Sequence, residues 1–543
     1  MSHMHLIFLC TICLLLSCQK EDKPLKQFNF IKYTVDGVQN SNAKGTSIQP
    51  EITISFSEIP DEKSLKENVK IFGNSQEIPV NITLTNNDSN IVIKPEIKLE
   101  YLTEYDLVVD QNLTSISGSR LSSRIEVSFS TQVEASDKFE RIEDDDLLTL
   151  IQEKTFKYFW DFGHPVSGMA RERNTSGDLV TTGGTGFGVM SVIVAVERGF
   201  ITRQQGLERI EKIATFLHDK ADRFHGVFPH WLNGNTGKTI PFSQKDDGGD
   251  LVETSFLIAG LLCASEYFNL SAPKEIDLRQ TIKGIWESVE WNWHTKGTEN
   301  VLYWHWSPKY QWEMNHQIRG WNEALITYIL AASSPTYPIN RAVYEKGWAS
   351  NGSMKNGRVF YGTNLPLGPD YGGPLFFSHY SFLGIDPRKL KDQFADYNLQ
   401  LLNHSFINYS YCVKNPGGYY GYSEQCWGLT ASDTNHGYTA HSPTNDRGVI
   451  SPTAAISSLP FTPEPSMRAI RYFYYVLGDK IFKEYGFTDA FNLHHIWFAN
   501  SFLAIDQGPI IIMIENHRSG LIWNYTMKND DIKRGLDILG FTY

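Results

Sequence analysis

Charge is scarce in this chain of 543 residues. Asp, Glu, Lys and Arg make up 20% of it, and the basic share is the smaller, 49 Lys and Arg against 61 Asp and Glu. The net charge of −12 excludes a general polyanion-binding surface, so nucleic acid is not an expected partner. Six cysteines are too few for a disulfide-stapled scaffold. Apart from Cys10 and Cys13, which lie inside an apolar leader, no CxxC or HExxH spacing occurs, and His436 and His441 lack partners at ligand spacing, so no metal and no cofactor is expected. Membrane-spanning helices need about 20 apolar residues, and no run approaches that.

The longest apolar run, Leu6 to Leu16, has no Lys or Arg before it and ends in Leu16-Ser17-Cys18. It reads as a lipoprotein signal peptide over residues 1–18, with Cys18 lipidated and residues 19–27 a charged tether. The expected location is the periplasm or cell surface of a Gram-negative bacterium, anchored by lipid, and the expected state is a monomer. Cys263 lies in an apolar helix. The sequence leaves open whether Cys412 and Cys426 pair across a loop in an oxidising compartment, and nothing else in the chain is disulfide-dense.

Hydrophobic residues, at 41%, define a globular chain with a large core. Aromatics reach 13%, with 13 Trp and 26 Tyr, and such rings fill cores or present flat faces to sugars. From Phe28 to about residue 135 the pattern is β: ITISFSEIP, NVKIFG, IPVNITLT, NIVIKP, YDLVVD and IEVSFST alternate apolar and polar residues between turns. Six or seven short strands there predict an Ig-like β-sandwich. Residues 136–146 read as an acidic linker.

From residue 147 to 543 the period is helical. Twelve helices are expected, starting near residues 147, 184, 203, 251, 274, 318, 338, 372, 396, 451, 464 and 506. Nearly uncharged helices alternate with amphipathic ones, and apolar helices belong inside. The links into the apolar helices are long and rich in Gly, Trp, Tyr, His and Asp, as functional loops are. This describes an (α/α)6 barrel whose inner ring starts near 184, 251, 318, 372, 451 and 506. The expected fold class is therefore mainly α, a barrel preceded by a small β-sandwich.

The barrel is organised around SQKDDGGDLVETSFLIAG. Asp250 caps the helix, and Glu253 sits in its first turn above an otherwise apolar body. The plain reading is a capping box; the functional one is an acid at the floor of a cleft. The long loops add Arg171, Glu172, Asp178, Trp231, Trp321, Glu323, Tyr371, Glu424, His441 and Asp446. Carboxylates, aromatics and a few Arg are the set that sugar hydrolysis needs. Each has a structural alternative. Glu172 pairs with a flanking Arg, Glu323 pairs with Arg319 four residues earlier, and Asp446 serves a turn. GGTGFG (183–188) lacks the Lys-Ser/Thr of a phosphate loop and reads as close helix packing.

FWDFGHPVSGMARER, TGGTGFGVMSVIVAVERGFITR, DDGGDLVETSFLIAGLL, LPLGPDYGGPLFFSHYSFLGIDP, AHSPTNDRGVISPTAAISSLP and IDQGPIIIMIENHRSGLIW resemble, in order, blocks of the glucoamylase-like (α/α)6 family, and within it the β-1,2-glucan hydrolases of glycoside hydrolase family 144. The likeness covers residues 147–543. It implies cleavage of β-1,2-glucan with inversion, endo or releasing sophorose from a chain end. It also implies Glu253 as the acid, with Asp446 and Asp178 as candidates for the base. Arg171, Trp231, Trp321, Glu323, Tyr371, Glu424 and His441 are then expected to bind the glucan. Two rival classes remain, a polysaccharide lyase on the same toroid and a non-catalytic glycan-binding lipoprotein.

Overall fold

The computed structural model describes residues 27–39, 43–85 and 89–543. The leader, Cys18 and most of the tether lie outside them. The chain divides into two compact units between Glu134 and Ala135.

The first unit has strands β1 Phe30–Val35, β2 Ala43–Thr46, β3 Ile52–Phe56, β4 Val69–Gly73, β5 Gln76–Ile78, β6 Val80–Thr85, β7 Asn90–Pro95, β8 Glu104–Val109 and β9 Ile125–Thr131, with helix α1 Glu62–Asn68. They form two sheets, ordered β1-β3-β7-β6 and β2-β9-β8-β4-β5. The period-2 pattern buries Ile52, Ile54, Ile71, Ile91, Ile93, Leu107 and Phe129 between them. The strands beyond the expected six or seven include β2 and β5, too short to show alternation.

The second unit contains α2 Asp144–Trp160, α3 Thr182–Glu197, α4 Arg203–Asp219, α5 Leu251–Tyr267, α6 Pro273–Glu287, α7 Leu325–Ser333, α8 Arg341–Lys346, α9 Tyr397–Lys414, α10 Pro452–Ser457, α11 Pro463–Arg471, α12 Gly478–Ile481, α13 Ala504–Arg518, α14 Leu521–Thr526 and α15 Asp530–Leu539. Helices α3, α5 and α13 are buried along almost their whole length. They pack together, α3 against both α5 and α13, with α7 beside α5 and α10 beside α13. Helices α4 and α6 bury only a stripe, Leu207, Ile210, Ile213 and Leu217 in one and Leu278, Ile282 and Ile285 in the other, and they pack on each other outside. No helix among the described residues is long and apolar enough to cross a membrane.

Three elements depart from the sequence reading. The helix expected at 318 starts at Leu325, because Gly320 turns left-handed (φ 77°) and its N–H bonds the carbonyl of Trp348. Arg319 accordingly donates to Gln317 and to the carbonyl of Lys346, not to Glu323. The helix expected at 372 is three 3-10 turns, 370–372, 375–378 and 380–382, since Gly372 and Gly373 take positive φ and Pro374 follows. The chain also continues past α13 into α14 and α15, which the sequence reading did not separate. Cys263, Cys412 and Cys426 are buried, unpaired thiols, so the pairing of Cys412 with Cys426 is not present.

The glycines of GGTGFG are explained by α5. A Cβ on Gly186 would stand 2.1 Å from the carbonyl oxygen of Phe256, and one on Gly260 would stand 2.3 Å from the carbonyl oxygen of Gly186. The two inner helices thus cross backbone to backbone. Gly186→Val is expected to destabilise the protein by about 3 kcal/mol or more, the upper range for overpacking a core. Denaturant midpoints measure this, and a loss under ~0.5 kcal/mol, the size typical of a surface change, would contradict the packing account.

Candidate active site

Asp250 caps α5. Its Oδ1 accepts the N–H groups of Val252 (3.0 Å) and Glu253 (2.9 Å). Its Oδ2 takes the Nδ1 edge of His230 at 3.1 Å. The cap sets Glu253 in the first turn, facing the start of α3. There Glu253 Oε2 accepts the Gly183 N–H at 2.8 Å and the Thr181 hydroxyl at 3.5 Å. Gly183 makes this approach possible, because a Cβ there would lie 2.5 Å from Oε2. Thr181 ends strand β10 Leu179–Thr181, which pairs with β11 Trp231–Asn233, itself followed by β12 Thr239–Ile240. The small sheet therefore brings Thr181, His230 and Trp231 to one place.

Glu253 lies in a cavity of about 380 Å³. Glu172, Arg173 and Thr181 line it before α3; His230, Trp231, Phe242 and Phe256 surround Glu253; Trp304 and Glu323 come from the stretch before α7. Phe376, Tyr380, Ala431, Tyr438, Leu503 and Ile505 complete the wall. His230 stacks on Phe242 with centroids 4.3 Å apart, and Trp231 lies 4.7 Å from Phe242. Trp231 Nε1 is buried without a hydrogen-bond partner. Glu172 accepts from Arg173 Nε at 3.0 Å, and Arg173 also reaches Asp433 at 3.1 Å. The ion pair expected for Glu172 is thus real, yet it lines the same cavity as Glu253.

The electrostatics shift the buried acids Glu253, Glu323 and Asp246 upward. Burial raises the pKa of Glu253, the charge of His230 pulls it back down, and the charge of Asp250 adds to the rise. Burial likewise carries Glu323 up to about 7, helped by the charges of Glu253 and Asp250. Burial would lower His230, but the charges of Glu253 and Asp250 and the hydrogen bond to Asp250 outweigh it and lift it to about 9. Burial and the neighbouring charge of Asp250 push Asp246 up to about 7. His230, Asp246 and Asp250 hold ligand-type atoms within 4.8 Å of one another. Both Asp250 oxygens are engaged in capping and in the bond to His230, so hydrogen bonding accounts for that grouping.

Of the residues selected from the sequence, Glu172, Trp231, Glu253 and Glu323 meet in the cavity. The others do not line it. Asp178 is exposed over 57% of its side chain and pairs with His164 at 3.2 Å. Asp446 accepts the hydroxyls of Tyr422 (2.7 Å) and Tyr411 (3.0 Å) and the N–H of Gly448. Arg171 donates to the carbonyl of Phe162 and lies over that ring. Trp321 is core, 4% exposed among Trp348, Phe382 and Tyr397. Tyr371 packs on Phe360 and Tyr411. Glu424 is exposed on a loop. His441 is fully buried against Ser432, and burial holds it near 4, hence neutral. His230, Tyr380 and Tyr438 were not selected. The clearest signal for His230 was its place one residue before Trp231 in the loop that ends at Glu253.

A carboxyl whose pKa burial raises, further carboxylates and aromatic walls at the mouth of a helical ring define a carbohydrate-cleaving type of site. The comparisons with known proteins agree. The Glycoamylase family model matches residues 315–530, and a bacterial Ig-like domain model matches residues 35–131. An endo-β-1,2-glucanase structure from Chitinophaga pinensis is 51% identical over 74% of this chain and 99% of its own, with a TM-score of 0.73. A β-1,2-glucanase structure from Parabacteroides distasonis is 37% identical over 94% of this chain and 74% of its own, TM-score 0.72. An exo β-1,2-glucooligosaccharide sophorohydrolase from Parabacteroides distasonis is 46% identical over 416 residues, 72% of this chain and 57% of that protein. This chain therefore spans little more than half the length of that curated relative. The chain belongs to the glucoamylase-like family of glycoside hydrolases that includes these β-1,2-glucan-cleaving enzymes.

Proposed function

We propose that this protein hydrolyses β-1,2-glucan, with Glu253 donating the proton to the glycosidic oxygen. The observation that carries the reading is Glu253 itself: buried at the head of an inner helix, anchored through Oε2 by Gly183, and leaving Oε1 toward a cavity of aromatic faces. The relatives' named activities support β-1,2 linkage as the target. The helical ring is read as an (α/α)6 barrel, with α3, α5, α7, α10 and α13 inside and the 370–382 turns as the sixth member. Inversion needs a second carboxylate to activate water. Those sharing the cavity with Glu253 are Glu172 and Glu323, whereas Asp446 and Asp178 would have to act through a substrate hydroxyl or a chain of waters. Three carboxylates against Arg173 and His230 disfavour the anionic sugars that a lyase takes. Lipidation of Cys18 and a periplasmic or cell-surface location complete the proposal. Incubating purified protein with β-1,2-, β-1,3-, β-1,4- and β-1,6-glucans tests it, and selective cleavage of the β-1,2 polymer is expected.

Trp231 should take a glucose ring on its face or a hydroxyl at its free Nε1. Trp231→Ala is expected to weaken substrate binding by about 1–3 kcal/mol, the usual range for losing an aromatic platform. In steady-state kinetics that is a KM rise of roughly 5- to 150-fold. An unchanged KM would remove Trp231 from the binding surface.

A further inference from the structure

We propose that His230 is a positioning residue for the cavity acid: fixed by Asp250, its Nε2 edge faces Glu253 Oε1 and sets both the orientation of that carboxyl and the pH range in which it can act. The inference rests on the reading of Glu253 as the proton donor.

The geometry is a three-residue chain. Asp250 Oδ2 holds His230 Nδ1 at 3.1 Å, and the opposite ring edge, Nε2, stands 3.9 Å from Glu253 Oε1. The ring cannot swing freely, because Phe242 covers one face and Trp231 meets its edge. Glu253 is clamped from the other side by the Gly183 N–H on Oε2, so the oxygen left for a transferable proton is Oε1, the one His230 faces. A gap of 3.9 Å is too long for a hydrogen bond but well inside the range of a strong charge–charge interaction in a partly dehydrated cavity. The spacing lets a cation act on Oε1 while leaving that oxygen unengaged for a leaving group.

The charges around the pair favour a protonated imidazole. His230 is faced by Glu253 and Asp250, with Asp246 behind them. His305 stands 3.7 Å from Asp250 Oδ2 and 3.4 Å from Asp246, and burial keeps it neutral, near 4. Glu253 is further influenced by Asp250, and it in turn contributes to the environment of Glu323 and Tyr380. A protonated His230 thus opposes the burial that would otherwise hold the Glu253 proton too tightly to release. Its role is to bring the acid back toward the working pH, the matching that general acid catalysis requires.

The test compares pH profiles of kcat/KM for the full-length wild type, His230→Gln and His230→Lys on linear β-1,2-glucan. Gln fills the site without charge, so Glu253 should keep its proton to higher pH, and the alkaline limb should move up by about one pH unit or more. Lys restores a cation and should return the limb toward wild type, even at reduced kcat. If both variants are slower at every pH with the limb unmoved, His230 is merely structural and the inference is overturned. If Glu253→Gln retains wild-type turnover, the reading of Glu253 itself fails, and that outcome is separable from the first. Dialysis against EDTA is expected to leave the wild-type profile intact. A loss reversed by a divalent cation would instead make His230, Asp246 and Asp250 a metal site and overturn the inference as well.

Discussion

Glu253→Gln should lower turnover on β-1,2-glucan by at least about 10²-fold, the low end for removing a general acid, while leaving binding nearly intact. The reasoning is geometric. Gln keeps the size of Glu, and its amide oxygen can still accept the Gly183 N–H and the Thr181 hydroxyl that hold Oε2 in the wild type. The Asp250 cap depends on the backbone of residue 253, not on its side chain. What Gln cannot do is give up a proton to a departing sugar oxygen. KM, or the affinity for an uncleaved oligosaccharide measured by calorimetry, should therefore move much less than kcat. The wild-type profile should show activity falling on the alkaline side as Glu253 loses its proton, at a pH above the ordinary range of a glutamate because burial dominates. Turnover of Glu253→Gln within a few-fold of wild type would move the acid role to Glu323, the other carboxyl of the cavity with a raised pKa.

The second large effect is on stability and lies beneath the opposite wall. Asp506, at the head of α13, and Asp489 are 2% and 3% exposed. Their carboxyls meet each other, a contact that is a hydrogen bond only when one of them is protonated, and no other partner reaches the oxygens of Asp506. Asp489 Oδ2 accepts the N–H of Asp433 at 2.6 Å. Burial, then the charge of Asp433, raises Asp489 to about 7, while burial and the charge of Asp489 raise Asp506 well above the usual range. Both folded values exceed the unfolded ones, so this pair binds more protons in the folded state above pH ~4, and its contribution to stability falls as pH rises from about 4 through 7. Asp506→Asn imitates the protonated acid. It is expected to stabilise the protein by on the order of 2–4 kcal/mol at pH 8 and by little at pH 4. Urea unfolding at both pH values measures the difference, and an equal effect at the two would refute a shared proton.

The frame of this molecule is legible in the sequence where burial alone decides. The alternation in ITISF and VKIFG can bury only one face, and LVETSFLIAGLLCA can lie only inside. Glu253 was legible for the same reason, as a carboxylate in a run that tolerates none. The sequence was misleading where a residue's neighbours come from distant segments. Trp321 stands beside an inner helix, like Trp231, yet Trp348 and Tyr397 close over it as core. Asp446 read as a base or a turn residue within SPTNDRG, and Tyr411 and Tyr422 engage it from outside that stretch. His230 shows the converse, an ordinary loop histidine until the β10–β11 pairing carries it against Asp250 and Glu253. Helix ends were lost to backbone geometry, at Gly320 and at Gly372-Gly373-Pro374.

The most direct test of the functional account is a time course of linear β-1,2-glucan with the purified wild-type protein, followed by proton NMR at the anomeric signals. The account predicts short β-1,2-linked oligosaccharides whose new reducing ends appear first as the α-anomer and then mutarotate. An untouched β-1,2-glucan, or an unsaturated product absorbing in the ultraviolet, would contradict it.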